Sequence, residues 1–541
     1  MTDHGSLRPT SAMAVGTALS RVTGLVRTWV LVAAIGTSVF SDTYTVANTV
    51  PNIVYILLIG GALNAVFIPQ LVRHMADDSD DGDAFAHRLL TATLSVLLVI
   101  TVVAVLLAPI IVRLYATRLW TPQDFTVSTA FARFCLPQIF FYGLYTLLSQ
   151  VLNARGRFAA PMFAPILNNL VVIAVAVAFL VAVGPDPSTA TISQGEIAWL
   201  GVGTTLGIVV QALILVPALR ATGFRLQWRF DWRGAGLGKS WTLARWTLFL
   251  VLANQIGLLV VSRLATAANA GAGGGSAGLT TYTTAYLFFG LPQSIITVSV
   301  VTAIMPTLSR LAHDDDVVGV RREVTGAVRL TGSLVTPAGA LLAVLGPAIG
   351  VLLFGSTATG ADGGFLLGLT LAGFMVGLPF YSAYYVVMRG FYSLEDTRVP
   401  ALNAVLVNAI SIAAGLTAYV VLPDRFVVPG LALAVSLGYV LGVAVLWRQL
   451  RVRLSGLNTG EVLRAFRPIV AASVLAAVVA FVTAAGFRVL GGDWPTTLRA
   501  LVQVVIGGLL GSGLYLWLAR RWRIDDVQVL VRTFRRRFRP A

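Results

Sequence analysis

The sequence predicts an all-α integral membrane protein with about fourteen transmembrane helices, arranged as two parallel six-helix repeats and two extra helices. Three observations lead to this prediction. Apolar residues make up 57% of the 541-residue chain and charged residues only 11%, whereas a soluble protein averages roughly 25% charged residues. The mean hydropathy is +0.83. Short motifs of the first half also recur in the second half at a nearly constant distance.

The apolar stretches are long enough to cross a bilayer as helices, because a bilayer core of about 30 Å requires roughly 20 apolar residues in helical conformation. They run from one end of the chain to the other, which excludes a soluble enzyme with a single membrane anchor. The predicted spans are residues 11–36, 43–72, 89–115, 125–152, 161–183, 197–219, 241–268, 279–308, 325–354, 364–391, 400–421, 427–447, 465–487 and 497–519.

The cations are distributed unevenly between the two sides of the predicted membrane. With the N-terminus in the cytoplasm, 29 Lys and Arg residues fall on the cytoplasmic side, 5 on the outer side and 5 inside spans. The positive-inside rule therefore predicts a multi-pass protein of the cell inner (cytoplasmic) membrane with both termini cytoplasmic. The basic tail, residues 520–541, is predicted to contact anionic membrane lipids, at about 1 kcal/mol per cation, and not nucleic acid.

Motifs of the first six spans recur in the next six, which predicts an internal repeat. An offset of six spans preserves the direction of each helix across the membrane, so the repeats are parallel and typical of transporters. The matched segments are 43–47 (TYTVA) with 281–285 (TYTTA), 69–73 (PQLVR) with 306–310 (PTLSR), and Pro161, Leu167 and Asn169 with Pro400, Leu406 and Asn408.

The repeat divides the chain into four predicted parts. Residues 1–230 form an N-lobe of helices 1–6, and residues 231–455 form a C-lobe of helices 7–12. Residues 456–519 form helices 13 and 14, and residues 520–541 form the cytoplasmic tail.

Groups for acid–base or metal chemistry are scarce at membrane depth. The four histidines lie in the N-terminal segment or in predicted cytoplasmic loops, and Cys135 is the single cysteine. Asp42, at the outer end of the second span, is the carboxylate closest to the membrane interior. The sequence therefore argues against an enzyme and predicts neither a metal nor a cofactor. It also argues against a cation exporter, because such proteins usually keep buried carboxylates.

Positive charge, in contrast, is predicted inside the membrane. The five arginines within spans are Arg21, Arg27, Arg133, Arg263 and Arg329. An arginine at a bilayer centre costs at least roughly 2.5 kcal/mol, so it should face the protein interior or water. We expect Arg329 to snorkel to the cytoplasmic surface. The planar guanidinium suits a phosphate, so Arg21 and Arg27 indicate an anionic ligand.

One glycine and two prolines are candidates for bends in the predicted helices. Pro51 and Pro292 interrupt the second and eighth spans, and a freed backbone group is tolerated only next to protein or a water-filled cavity. Arg21 and Arg27 are six residues, or about 240°, apart on an ideal helix. Gly24 between them would permit the bend or close approach that brings both to one cavity.

The opening of the chain resembles the MurJ/MviN family, whose members flip lipid II, the undecaprenyl-pyrophosphate-linked peptidoglycan precursor. The resemblance spans the first eleven predicted helices, and the chain is similar to actinobacterial members. It rests on 20–27 (SRVTGLVR), Gly36, Asp42, Pro51-Asn52, Gly61-Ala62, Phe67-Ile68-Pro69, Leu152-Asn153, Arg157-Phe158, Pro161, Asn169, Leu345-Gly346-Pro347, Leu353-Phe354-Gly355, Gly390-Phe391-Tyr392-Ser393, Asp396 and Arg398-Val399-Pro400.

The resemblance implies the fold of the multidrug/oligosaccharidyl-lipid/polysaccharide exporter superfamily, with helices 13 and 14 forming a groove for the lipid tail. It also implies substrate-binding roles for Arg21, Arg27, Asp42 and Asn52. The chain departs from the family where members carry cavity charges, at Tyr55, Gly60 and Leu287. One hypothesis is that Arg263, from the seventh span, replaces the missing cations.

The leading functional interpretation is a lipid II flippase that works by alternating access, with lipid II and a coupling ion as partners. Alternatives are a flippase for another polyprenyl-pyrophosphate-linked glycan, a drug or cation exporter of the same fold, and a scaffold that has lost transport. Arg21 and Arg27 do not distinguish the first two substrates, because both carry pyrophosphate.

The orientation can be tested with single cysteines in a chain that lacks Cys135. Cysteines at Ser188 and Ser276 should react with an impermeant thiol reagent added to intact cells. Cysteines at Ser79 and Ser455 should react only after lysis. The reverse pattern would overturn the positive-inside assignment.

Overall fold

The computed structural model describes residues 7–57, 83–224, 227–230, 241–274, 277–524 and 526. Within these ranges every regular element is a helix. The later part of the second predicted span and nearly all of the tail beyond Asp526 lie outside the described residues. The chain forms two compact units, Met1–Gln255 and Ile256–Ala541. The predicted boundaries at 230, 455 and 519 stay predictions.

The first unit consists of nine described helices and the beginning of a tenth. They are α1 (Leu7–Ile35), α2 (Val39–Leu57), α3 (Asp83–Leu106), α4 (Ala108–Tyr115), α5 (Pro122–Cys135), α6 (Gln138–Ala154), α7 (Ala159–Val183), α8 (Gln194–Leu213), α9 (Leu215–Arg220) and α10 (Trp241–Gly271). The boundary between the units falls within α10.

The second unit contains the rest of α10, a π-helix and eight further α-helices in the described ranges. They are α11 (Leu279–Pro292), the π-helix Gln293–Thr297, α12 (Val298–His313), α13 (Val317–Phe354), α14 (Gly360–Ser393), α15 (Arg398–Val421), α16 (Asp424–Arg453), α17 (Thr459–Leu490) and α18 (Thr496–Arg521).

The all-α membrane architecture is confirmed. Twelve helical segments of the described chain are long and apolar enough to cross a membrane, and they match the third to fourteenth predicted spans in order. Helices α1 and α2 occupy the described parts of the first two predicted spans. The total of fourteen therefore stays a prediction.

The same contacts recur in the two units, as expected of an internal repeat. In the first unit, Tyr44 of α2 packs edge-on against Phe131 of α5, with ring centroids 5.5 Å apart. In the second unit, Tyr282 of α11 packs edge-on against Phe374 of α14 at 5.1 Å. The two tyrosines are the matched residues of the TYTVA and TYTTA motifs.

Glycines allow helices α13 and α14 to pack with their backbones in contact. A β-carbon at Gly350 would lie 2.1 Å from the carbonyl oxygen of Gly364, and one at Gly368 would lie 2.1 Å from that of Gly346. Such close approach is the usual means of helix association in a membrane, where burial of apolar surface gives no advantage over lipid.

Two tyrosines satisfy carbonyl groups that prolines leave free. A proline inside a helix cannot donate to the carbonyl four residues earlier. Pro165 in α7 thus frees the carbonyl of Pro161, which accepts a hydrogen bond from Tyr145 Oη at 2.9 Å. Pro337 in α13 frees the carbonyl of Ser333, which accepts from Tyr515 Oη of α18 at 2.5 Å. The second bond joins the extra helices to the second repeat.

The C-terminal end of α18 is also tied to α13. After Arg521 the chain turns back, and Ile524 is buried in an apolar cluster with Ile469 of α17. Asp526 then pairs with Arg329 of α13 at 3.6 Å. Arg329, which we expected to snorkel, therefore has an acidic partner at the start of the basic tail.

The bond between Tyr515 and Ser333 predicts a specific rescue. Tyr515→Phe should lower the stability of the protein in detergent by about 1–2 kcal/mol, because the Ser333 carbonyl loses its donor. In a Pro337→Ala background the backbone N–H of residue 337 can donate to Ser333, so Tyr515→Phe should have little effect. Thermal unfolding of the two single variants and the double variant measures this. An equal loss in both backgrounds would show that the hydroxyl does not serve this carbonyl.

Candidate anion-binding site

Helix α1 carries the two arginines that the sequence selects as anion ligands. The helix runs without a break from Leu7 to Ile35, so Gly24 does not end it. Arg21 is exposed and Arg27 is half-buried, in keeping with two positions about 240° apart around the helix. The site is therefore built around Arg27.

Asn169 of α7 holds this part of α1 in place. Its Nδ2 donates to the carbonyl oxygen of Ser20 at 3.1 Å and to Thr23 Oγ1 at 3.0 Å. A β-carbon at Gly24 would lie 3.6 Å from the same Nδ2, which is an ordinary van der Waals distance, so this contact does not require a glycine. The two hydrogen bonds of Asn169 join α1 to α7 at Ser20 and Thr23, on either side of Arg21.

Arg27 is within electrostatic range of two tyrosines of neighbouring helices. Its guanidinium is close enough to the hydroxyl groups of Tyr44 on α2 and Tyr142 on α6 to act on both electrostatically. The Tyr44 hydroxyl is also hydrogen-bonded to Thr204 Oγ1 of α8 at 2.8 Å. In the described part of the chain, the buried Nε atom of Arg27 has no hydrogen-bond partner.

One helical turn from these tyrosines, two amide side chains are linked. Gln138 of α6 is only 1% exposed. Its Nε2 donates to Asn48 Oδ1 of α2 and to Thr205 Oγ1 of α8, each at 3.2 Å. Asn48 follows Tyr44 by four residues and Gln138 precedes Tyr142 by four, so each pair shares one face of its helix.

Asp42 is completely buried in the first turn of α2, between the buried residues Ser41 and Thr43. The amino-terminal end of a helix stabilises a negative charge. Later in the same helix, Pro51 is buried and Asn52 is exposed, and α2 continues through both. Tyr55, where the resemblance expects a cation, packs its ring 4.7 Å from that of Tyr142.

The other predicted site residues belong to the second unit. Arg263 is half-buried on α10, and Leu287 is exposed on α11. Pro292 is the last residue of α11, and the π-helix Gln293–Thr297 follows it directly. The helix is therefore irregular at Pro292, whereas it is regular at Gly24 and Pro51.

The arrangement around Arg27 suits an anion. A guanidinium, hydroxyl groups and amides provide hydrogen-bond donors with a net positive charge, which is the chemistry that phosphate oxygens require. Among the described residues, no group of three His, Cys, Asp or Glu side chains could hold a metal ion.

The sequence is similar to one family over most of its length. A sequence model described as "Lipid II flippase MurJ" matches residues 31–499. A probable lipid II flippase MurJ of Haemophilus influenzae is 26% identical over 455 residues, which cover 80% of this chain and 84% of that protein. The lipid II flippase MurJ of Burkholderia cenocepacia is 27% identical over 443 residues, covering 81% and 82%.

Solved structures share the fold. A lipid II flippase MurJ in an inward closed conformation matches with a TM-score of 0.73 at 19% identity, covering 94% of this chain and 99% of that one. An inward-facing multidrug transporter of the MATE family matches with a TM-score of 0.63 at 15% identity, covering 81% and 94%.

The contacts of Asn169 predict an ordered set of stability changes. Thr23→Val removes one acceptor and leaves the Ser20 carbonyl bound, so it should cost least. Asn169→Ala removes both bonds and should cost about 1–3 kcal/mol. Asn169→Asp should cost most, because its carboxylate oxygens replace the donor opposite a carbonyl oxygen. Thermal unfolding in detergent measures the series. If Asn169→Asp were as stable as the unmodified chain, the assigned bonds would be wrong.

Proposed function

The chain belongs to the MurJ family of lipid II flippases, and we propose on that premise that it carries lipid II across the cytoplasmic membrane by alternating access. The observation that carries the proposal is the environment of Arg27. A half-buried guanidinium with a free Nε atom stands among hydroxyl and amide groups, inside a bundle of membrane-spanning helices. The pyrophosphate of lipid II is the ligand whose charge and oxygens would complete this site.

The transport requires no covalent chemistry. The protein has to replace the water around the pyrophosphate with its own donors while the polyprenyl tail stays in lipid. Arg27 would provide the strongest of these donors, since a charged hydrogen bond is roughly twice as strong as a neutral one. We assign the exposed Arg21 to an earlier or later contact with the same group, and Asp42 and Asn52 to the same substrate path.

Arg263 of α10 is proposed as a further cation that binds the substrate. The resemblance expects further cavity charges at Tyr55 and Leu287, and neither residue can carry one. Arg263 is half-buried at membrane depth, so it bears a desolvation cost that a bound anion would offset. Loss of transport in Arg263→Ala, at a normal protein level, would support this assignment.

Membership of this family favours lipid II over the alternative substrates. Other polyprenyl-linked glycans share the pyrophosphate, so the arginines do not exclude them, but the matched family is that of lipid II flippases. The likeness to a multidrug transporter extends to the fold. A cation-coupled drug exporter usually keeps buried carboxylates for its coupling ion. Among the described residues the buried carboxylates are Asp42 and Asp124, and Asp124 is engaged in capping α5.

We also propose an orientation, a lipid contact and a driving force for the protein. Both termini lie in the cytoplasm, and the basic tail contacts anionic headgroups. The ion pair between Asp526 and Arg329 supports this placement, because it holds the beginning of the tail beside the predicted cytoplasmic end of the span 325–354. A coupling ion or the membrane potential, which supplies about 2.3 kcal/mol per charge at 100 mV, would drive the cycle.

The direct test is genetic rescue. Expression of this chain should restore growth to cells depleted of their own lipid II flippase. Rescue of growth together with lipid II translocation would establish the activity in cells. Failure of a well-expressed chain, with translocation of a different polyprenyl-linked glycan, would favour the alternative substrate.

Arg27 provides the sharpest site prediction. Arg27→Lys keeps the charge but loses the planar fork, so the rescue should fall substantially. Arg27→Ala should abolish rescue at a normal protein level. Arg133→Lys is the matched control, because Arg133 is an exposed arginine of the same unit and should tolerate the change. Full activity of Arg27→Lys would argue that only the charge, and not the fork, is required.

A further inference from the structure

The amides of Asn48 and Gln138 form a link in which the orientation of each group is determined. A primary amide nitrogen has two hydrogens, and Gln138 Nε2 uses them for Asn48 Oδ1 and Thr205 Oγ1. Thr205 Oγ1 in turn donates to the carbonyl oxygen of Phe134 at 2.7 Å, so it can only accept from Gln138. Asn48 must therefore present Oδ1 to Gln138, and its Nδ2 points away from Gln138.

The Nδ2 group of Asn48 remains available to a ligand. Asn48 is half-buried, whereas Gln138 is almost completely buried. Asn48 lies one turn from Tyr44, and Gln138 lies one turn from Tyr142. Because the Arg27 guanidinium acts on both tyrosine hydroxyls, the Asn48 amide and Arg27 belong to the same polar region of the first unit.

The amide link is not part of the scaffold that the two repeats share. The scaffold pair of Tyr44 and Phe131 has its counterpart in Tyr282 and Phe374. At the 238-residue offset of the two tyrosines, Asn48 corresponds to Tyr286. At the 239-residue offset that relates Phe141-Tyr142 to Phe380-Tyr381, Gln138 corresponds to Gly377. A fold that forms without these amides in one unit does not require them in the other, and buried amides are costly unless each group is satisfied.

We propose that Asn48 is a further ligand-binding side chain of the first unit, which donates from Nδ2 to an oxygen of the pyrophosphate held by Arg27. Gln138 is then a positioning residue, which fixes the Asn48 amide in the donor orientation. This inference rests on the proposed function and adds a ligand contact to it. It also gives the site of the first unit a donor, although Tyr55 stands where the resemblance expects a cation.

The inference is tested by binding of two lipids to the purified full-length protein in nanodiscs. The probes are lipid II and undecaprenyl pyrophosphate, which share the pyrophosphate and differ in the glycan and peptide. Asn48→Leu, which is similar in size and uncharged, should weaken the binding of both lipids by about tenfold or more, because a hydrogen bond to a charged group is lost. Asn48→Asp should weaken it further by repulsion. Gln123→Ala, which removes an exposed amide of the same unit, should leave affinity unchanged.

The positioning role of Gln138 is tested by a double-mutant cycle. Gln138→Leu alone should weaken binding, and it should cause no further loss in an Asn48→Leu background, because it acts through Asn48. A role of Gln138 in folding alone would instead give additive losses and a parallel loss of thermal stability. Thr205→Val leaves the bond between the two amides intact and should have a smaller effect than Gln138→Leu.

The other possible binding results each contradict a specific part of the proposal. If the folded Asn48→Leu variant bound both lipids as tightly as the unmodified chain, the proposed contact would be wrong. If it lost affinity for lipid II alone, the contact would be to the glycan or peptide, and the pyrophosphate assignment would be overturned. If the unmodified chain bound neither lipid, the proposed function itself would fail. Should the Asn48 variants not fold, an unchanged affinity in a folded Gln138→Leu variant would still refute the positioning role.

Discussion

The interior of a bilayer contains no water, so each polar group of a membrane-spanning bundle must find its hydrogen-bond partner within the protein. The described structure meets this constraint by several means. Serine and threonine hydroxyls donate to carbonyl groups one turn earlier in their own helices, as Thr91, Thr101 and Thr370 do. Tyr145 and Tyr515 occupy the carbonyls that prolines set free. Asn169 joins α1 to α7 with both of its amide hydrogens.

Because of the same constraint, a hydrogen-bond donor without a partner indicates a place where a ligand could bind. The Nε atom of Arg27 has no partner in the described part of the chain, and Asn48 is held with its amide nitrogen turned away from its neighbour. A bundle selected for stability alone would replace such groups by apolar ones, since a buried polar network gives less stability than apolar packing unless it is complete. In the proposed function an anionic ligand would complete the network, and its charge would offset the desolvation cost of the arginine.

The sequence is sufficient to predict the membrane architecture, and it selects two residues of the proposed site. Long apolar stretches predict helices strongly because a bilayer admits few other structures, and twelve of them match observed helices in order. Arg27 and Asp42 could be selected because charge at membrane depth is rare. The link between Asn48, Gln138 and Thr205 could not, because it joins three helices that are distant in sequence and uses common residues. A comparison of the repeats would have helped: Phe141-Tyr142-x-x-Tyr145 recurs as Phe380-Tyr381-x-x-Tyr384, while the amides do not recur.

At these matched positions the two units carry side chains of different chemistry. Where the first unit carries Asn48, the second carries Tyr286, whose ring stacks against its neighbour Tyr282 and packs edge-on against Phe374. Where the first unit carries Gln138, the second carries Gly377, whose missing side chain allows contact with Ser436 of α16. Amides and a cation provide donors for a ligand, whereas aromatic rings and glycines provide close packing. The shared arrangement of helices thus carries amides at these positions in the first unit and close packing in the second, so the proposed contact of Asn48 and its positioning by Gln138 belong to the first unit alone.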